Sequence, residues 1–209
     1  MLAVLHKSVA KSPEALLQSP QTDQSDSVLK DGFLATHFSS LHPGSVIINL
    51  ASSGFIAYSS HRQNPLLPRT LRDRGPYPAD QVVREIQGKF AFFLFDSTSK
   101  ATFIASDADG SVPFFWGTDA EGHLVASGDS EVVKQGCGKS FAPFPKGCFF
   151  TSSGGLRSYE HPINELKAVP RVDSSGEVCG LTFKVDAESR KDKTGMPRVG
   201  SDANWSQHY

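Results

Sequence analysis

The stretch KFAFFLFDSTSKATFIASDADGSVPFFWGTDAEGHLVAS, residues 89–127, decides the fold. FAFFLF, between Lys89 and Asp96, is an unbroken apolar run suited to a strand buried on both faces. STSK (97–100) turns the chain, and ATFIASD (101–107) returns as a second strand. DADGSVP (107–113) has the composition of a loop. FFWGTDAEGHLVAS (114–127) then reads as a second hairpin, with TDAEG as its turn.

The flanks add helices and further strands. Upstream, Asp80 is placed to cap a helix QVVREIQ, with Val82, Val83 and Ile86 at helical spacing and Gly88 as its stop. SVIINLASSGFIAYSS (45–60) reads as a strand pair broken by SSG. PEALLQ (13–18) can form one or two helical turns inside a polar, Ser- and Gln-rich stretch over 10–31. Downstream, SEVVKQG forms a short helix that Gly136 ends. GCFFTSS (147–153) and GGLRSY (154–159) form a strand and its returning partner, and one more strand lies over 179–185. A domain over 1–186 and a polar tail over 187–209 follow, and neither end reads as core. NPLLPRTLRDRGPYP (64–78) fits none of this: it starts a helix and stops it at once between two pairs of prolines.

Bulk properties exclude several classes. The 209 residues carry a net charge of -1, so a phosphate-tracking basic face, and with it nucleic acid, is not expected. The apolar run MLAVL is too short for a signal peptide, and no stretch is long enough to span a membrane. Three unpaired cysteines fit reduced thiols in a cytoplasmic or nuclear compartment, which leaves the sequon at Asn204 unglycosylated.

Motifs that resemble chemistry are weak. GCGKS (136–140) ends like a phosphate-binding loop, but Val133 stands where the first glycine belongs. DADG would need ligands at Ala105 and Trp116 to bind calcium, and neither can serve. No metal-ligand spacing occurs, and no cofactor is expected. Cys137 and Cys148 are candidate nucleophiles, with Lys139, Lys146 and His161 as possible activating neighbours, but packing is the commoner role of such thiols. Arg72 and Arg74 could clamp an anion or simply pair with Asp73 on a surface turn.

The order IQGKFAFFLFD, FIASDADGSVPFFWG, LVASGD over 82–133 resembles the glutaminase domain of class II glutamine amidotransferases such as asparagine synthetase. Gly88, Phe90, Asp107, Gly110 and Pro113 occupy its motif positions, while Ser106 stands where that family has Arg. TLRDRGPYP, DADGSVPFFWG, GCGKSFAPFPKGCFFTSSGGLRS and GMPRVGS resemble the plant stem-specific, aluminium- and auxin-induced proteins with YGL and LRDR motifs. LRDR is present as Leu71, Arg72, Asp73 and Arg74; YGL is absent. In such proteins strands, YGL and the helix ending in LRDR lie between NPLLPR and TLRDRG, so the resemblance implies an internal loss between Arg69 and Thr70.

The resemblance implies an α+β fold, a four-layer αββα sandwich of the N-terminal-nucleophile hydrolase type, incomplete because of that loss. Its chemistry uses a cysteine at the mature N-terminus, with the α-amine as base. Here Leu2 stands next to Met1, and the first Cys, Ser or Thr is Ser8. The resemblance therefore implies a non-catalytic protein of plant stress or hormone response that binds a small molecule or a protein partner. The alternatives are an amidohydrolase with a displaced Cys nucleophile and a partner-dependent isoform. A homodimer is expected, because lost strands leave unpaired edges.

Overall fold

The computed structural model describes residues 1–17, 32–59, 79–172 and 174–186. The LRDR residues Leu71, Arg72, Asp73 and Arg74, the stretch around them and the tail over 187–209 lie outside the described residues.

The protein is mixed α+β, and its sheets are antiparallel. The elements run β1 (Leu2–Leu5), α1 (Glu14–Leu17), α2 (Phe33–Leu41), β2 (Val46–Asn49), β3 (Gly54–Tyr58), α3 (Ala79–Glu85), β4 (Ala91–Asp96) and β5 (Ala101–Ser106). They continue β6 (Phe115–Thr118), β7 (Leu124–Ser127), α4 (Ser130–Cys137), β8 (Phe141–Pro143), β9 (Cys148–Thr151), β10 (Gly155–Ser158), β11 (Leu166–Val172) and β12 (Val178–Val185). One sheet has the order β2-β3-β1-β7-β6-β8, a second the order β10-β9-β5-β4, and β11 and β12 form a separate hairpin.

Alternation along the strands divides the core into three clusters. Ala3 and Leu5 of β1 join Trp116, Leu124 and Ala126 on one face of the six-stranded sheet; Phe93, Ile104 and Phe150 of the other sheet belong to the same cluster. Leu2 and Val4 face the opposite way, into a cluster with Leu34 and Phe38 of α2 and Val132 and Val133 of α4. Val83 of α3 packs with Phe90, Ala105, Phe149 and Tyr159 in the third. Trp116 is fully buried, with the rings of Phe144, Phe150 and Phe183 at 4.8, 5.5 and 5.5 Å.

Both hairpins of the deciding stretch form as their turns dictate, Ala91 pairing with Ser106 and Phe115 with Ser127. The strand pair over 45–60 also forms, with Val46 opposite Tyr58. Several expectations need correction. The N-terminus is core: Leu2–Leu5 is the buried strand between β3 and β7, too short to show a period. The apolar run of β4 is not buried on both faces: Leu94 is 39% exposed, and among the described residues β4 is the last strand of its sheet. Asp80 sits inside the first turn of α3 instead of capping it. Gly136 does not end α4; the helix runs to Cys137, and Gly138 takes the positive φ of its cap. A side chain at Gly136 would strike Leu34, with its Cβ 2.6 Å from Cδ1, so this glycine serves helix packing. Strands β1, β8 and β11 and helix α2 were not anticipated from the sequence.

The closest backbone approach is at Gly54, where β3 meets β1. A Cβ there would lie 2.0 Å from the Val4 carbonyl oxygen, and φ is +125°. Gly54→Ala is therefore expected to lower stability by about 3 kcal/mol or more through overpacking and backbone strain. A near-UV circular dichroism melt reporting on Trp116 measures it, and an unchanged midpoint would contradict this packing.

Candidate functional site

The loop after β5 is organised by one buried carboxylate. Asp107 Oδ2 accepts from the Phe90 amide at 2.9 Å and Oδ1 from the Ser111 amide at 2.8 Å. Its amide donates to the Phe90 carbonyl, and its own carbonyl accepts from Gly110 and Gly147. Phe90, Asp107 and Gly110 are thus one connected unit. Gly88 has φ +97° before β4, Gly110 has φ +66° with the Lys146 side chain against it, and the Pro113 carbonyl lies beside Gly128. Ser106 is buried, donating to the Pro145 carbonyl at 3.0 Å and accepting at its own carbonyl from Tyr159 Oη.

This loop forms one rim of a cleft of about 550 Å³. Asp109 stands on that rim, Lys146 precedes β9 and Cys148 opens it, Glu160 and His161 follow β10, and Lys184 comes from β12. Both signs of charge face one space, which can hold a small charged or zwitterionic molecule. The wall at the end of β10 is fixed by side-chain bonds to the backbone. Ser158 Oγ donates to the Gly147 carbonyl and accepts from the His161 amide, while Arg84 of α3 donates to the Tyr159 carbonyl. Burial, then the nearby Glu160 and Asp107 carboxylates, push the Tyr159 hydroxyl well above its ordinary value. Sequence reading missed the cleft as a unit. FPKGCFF and GGLRS were conspicuous, and only the fold shows that Lys146, Cys148 and Ser158 meet there.

The candidate thiols are in different places. Cys137 lies in the cluster under α2 and α4, packed on Gly117 so tightly that a Cβ there would be 2.9 Å from Sγ. Burial, then the Asp119 carboxylate, raise it well above the ordinary thiol range. Cys148 is pushed up to about 12 by burial, with a Ser158 hydrogen bond pulling the other way and Glu160 adding to the rise. A thiol held neutral at physiological pH is a poor nucleophile. His161 and Lys146 do share the cleft with Cys148, whereas Lys139 sits 3.9 Å from Glu177.

At the start of β1, the Met1 carbonyl accepts from Ser127 Oγ at 3.0 Å and from the Gly128 amide at 3.1 Å. Burial lowers the pKa of the Met1 α-ammonium, and Asp129 opposes that shift. Met1, Leu2, Ala3, Val4 and Leu5 offer neither hydroxyl nor thiol. Among the described residues no cluster of His, Cys, Asp and Glu could hold a metal ion, and no helix is long and apolar enough to cross a membrane.

The antiparallel sheets and the Asp107 loop fit a glutamine amidotransferase-like domain, and sequence comparison agrees over part of the chain. Asparagine synthetase B of Escherichia coli (strain K12) is 32% identical over 91 residues, 43% of this chain and 16% of that protein. An asparagine synthetase of Oryza sativa subsp. japonica is 32% identical over 92 residues, 44% of this chain and 15% of its own length. The match thus spans about one sixth of those enzymes. The chain belongs to the aluminium-induced protein family, whose sequence profile matches residues 2–71 and 69–185. The stem-specific protein TSJT1 of Nicotiana tabacum is a homologue, 28% identical over 148 residues, 50% of this chain and 99% of the tobacco protein.

Two measurements test this geometry. Asp107→Ala removes a buried charged acceptor from two amides and is expected to cost about 2–3 kcal/mol, read from chemical denaturation. Iodoacetamide at pH 8 should label exposed Cys179 and leave Cys137 and Cys148 intact in the folded protein; mass spectrometry showing fast labelling of Cys148 would contradict its burial.

Proposed function

We propose that this is a non-catalytic, amidotransferase-like member of the aluminium-induced protein family that acts by binding, with the cleft beside Cys148 as the small-molecule site. The observation that carries the reading is that β1, where the resemblance to the amidotransferases implies a nucleophile, has no hydroxyl or thiol from Met1 to Leu5. The raised thiols of Cys137 and Cys148 support it. Asp107, Gly110 and Phe90 then act as scaffold, tying the loop to β4. We assign the domain to residues 1–186, with 187–209 as a tail, and its reduced thiols suit a cytoplasmic or nuclear setting.

The fold we assign is the αββα sandwich of the N-terminal-nucleophile hydrolases. Its support is the pair of clusters that place helices α2 and α4 on the outer face of one sheet and α3 on the outer face of the other. We further propose that a segment present in relatives is missing between Arg69 and Thr70. The family profile breaks at 69–71. The tobacco alignment takes 148 positions but only 50% of 209 residues, about 105, which leaves about 40 positions without a counterpart here. Binding at the cleft would be the part of the ancestral function least affected, since its lining residues all lie beyond the break.

The competing reading is an amidohydrolase that uses Cys148 with His161, which share the cleft. Ammonia release from glutamine and asparagine by purified protein of confirmed mass separates the two. No turnover above buffer is expected. Turnover that Cys148→Ser abolishes, in a variant with an unchanged melt, would replace the binding reading with the enzymatic one.

A further inference from the structure

The cleft beside Cys148 has two walls of different charge. One is built by the loop after β5 and the two ends of the β9–β10 hairpin, and carries Asp109, Lys146, Glu160 and His161. The Glu160 side chain lies over Gly147, its Oε2 3.3 Å from where a Cβ would sit, and the Lys146 stem runs along Gly110. The carbonyl of buried Asp107 accepts from the amides of Gly110 and Gly147 beneath them. Three carboxylates thus stand against one ammonium. Burial first, and then anions that include Glu160, Asp107 and Asp109, raise the buried Tyr159 hydroxyl.

The other wall is the β11–β12 hairpin, which contributes Leu166, Phe183, Lys184 and Val185. Lys184 is directly opposite Lys167 in the register. Like charges so placed repel. Asp186, which follows β12, is paired with Lys167. Among the described residues none of Asp109, Lys146, Glu160 and Lys184 forms an ion pair. The lining that continues from each pole is apolar: Cys148 follows Gly147 under Glu160, and Phe183 and Val185 flank Lys184.

We propose that the cleft takes a zwitterion whose ammonium and carboxylate stand at the two ends of an apolar carbon chain, an ω-amino acid, with the ammonium at Glu160 and Asp109 and the carboxylate at Lys184. This names the ligand class of the binding site proposed above and rests on that reading. Each charged end meets a group of opposite sign that has no ion-pair partner among the described residues, and charge-assisted hydrogen bonds are the strong ones. The chain between the ends covers Cys148 and Phe183 and removes apolar surface from water. An α-amino acid places nothing apolar between its charges. A volume of about 550 Å³ accommodates the longer molecule.

Ligand-observed NMR titration of the full chain tests it with 6-aminohexanoate, hexylamine, hexanoate and alanine. The first is expected to bind at least tenfold more tightly than the other three. Glu160→Gln should reduce its affinity to that of hexanoate. Lys184→Gln should reduce it to that of hexylamine and leave hexylamine binding unchanged. Both side chains are exposed, so an unchanged near-UV spectrum is expected for each variant. Triglycine, with distant termini and a polar spacer, should bind more weakly than 6-aminohexanoate; tighter binding would overturn the apolar chain. Equal affinity for hexanoate or alanine, or full affinity in either variant, would overturn the inference. The ammonia-release assay separates the two readings: equal affinities without turnover sink this inference alone, whereas turnover lost in Cys148→Ser sinks the binding reading beneath it.

Discussion

The six-stranded sheet depends on the backbone ladder of Leu2–Leu5. This strand exchanges hydrogen bonds with β3 on one side and β7 on the other, and its side chains feed two separate cores. Without it, β2 and β3 would have no connection to the rest of the sheet. Four short apolar residues with no room for a polar group thus hold the larger sheet together. That is also why the strand is a poor place to look for chemistry here: every side chain from Leu2 to Leu5 is committed to packing.

A second constraint acts on the smaller sheet. The Asp107 carboxylate and backbone tie the start of β4, the loop after β5 and the turn before β9 to one another. Ser106, the last residue of β5, is buried next to it and donates a hydrogen bond to the Pro145 carbonyl. The residues of the cleft hang on this frame and on the wall held by Arg84 and Ser158.

How much was legible follows from the kind of signal each element carries. The hairpins over 89–127 were readable because turn residues punctuate apolar strands at both joints. β1 and β8 were not, since strands of four and three residues show no period and declare themselves only through their partners. Helix α2 has no side-chain cap and begins at Gly32 in the left-handed region, so the usual start signal was missing. β4 was readable as a strand but misplaced, because an apolar run reports what a strand is suited to and says nothing of whether a neighbour is there. The Asp107 loop could be seen in the motif spacing. The cleft could not, because its residues come from five separate stretches between Ala108 and Val185.

The position of β1 in the sheet has a consequence for how the chain comes to be folded. Its first strand finds one partner in residues 54–57 and its second only in residues 124–127. At ribosomal speeds of about 5–20 residues per second, the interval between synthesis of the two sides of that pairing is on the order of ten seconds. Through that time one edge of this wholly apolar strand has no permanent neighbour. Sheet closure across such a sequence separation is intrinsically slow. The nascent chain therefore presents a sticky N-terminal strand to whatever it meets until β7 has emerged, and newly made protein is the population most exposed to chaperones and to misassembly.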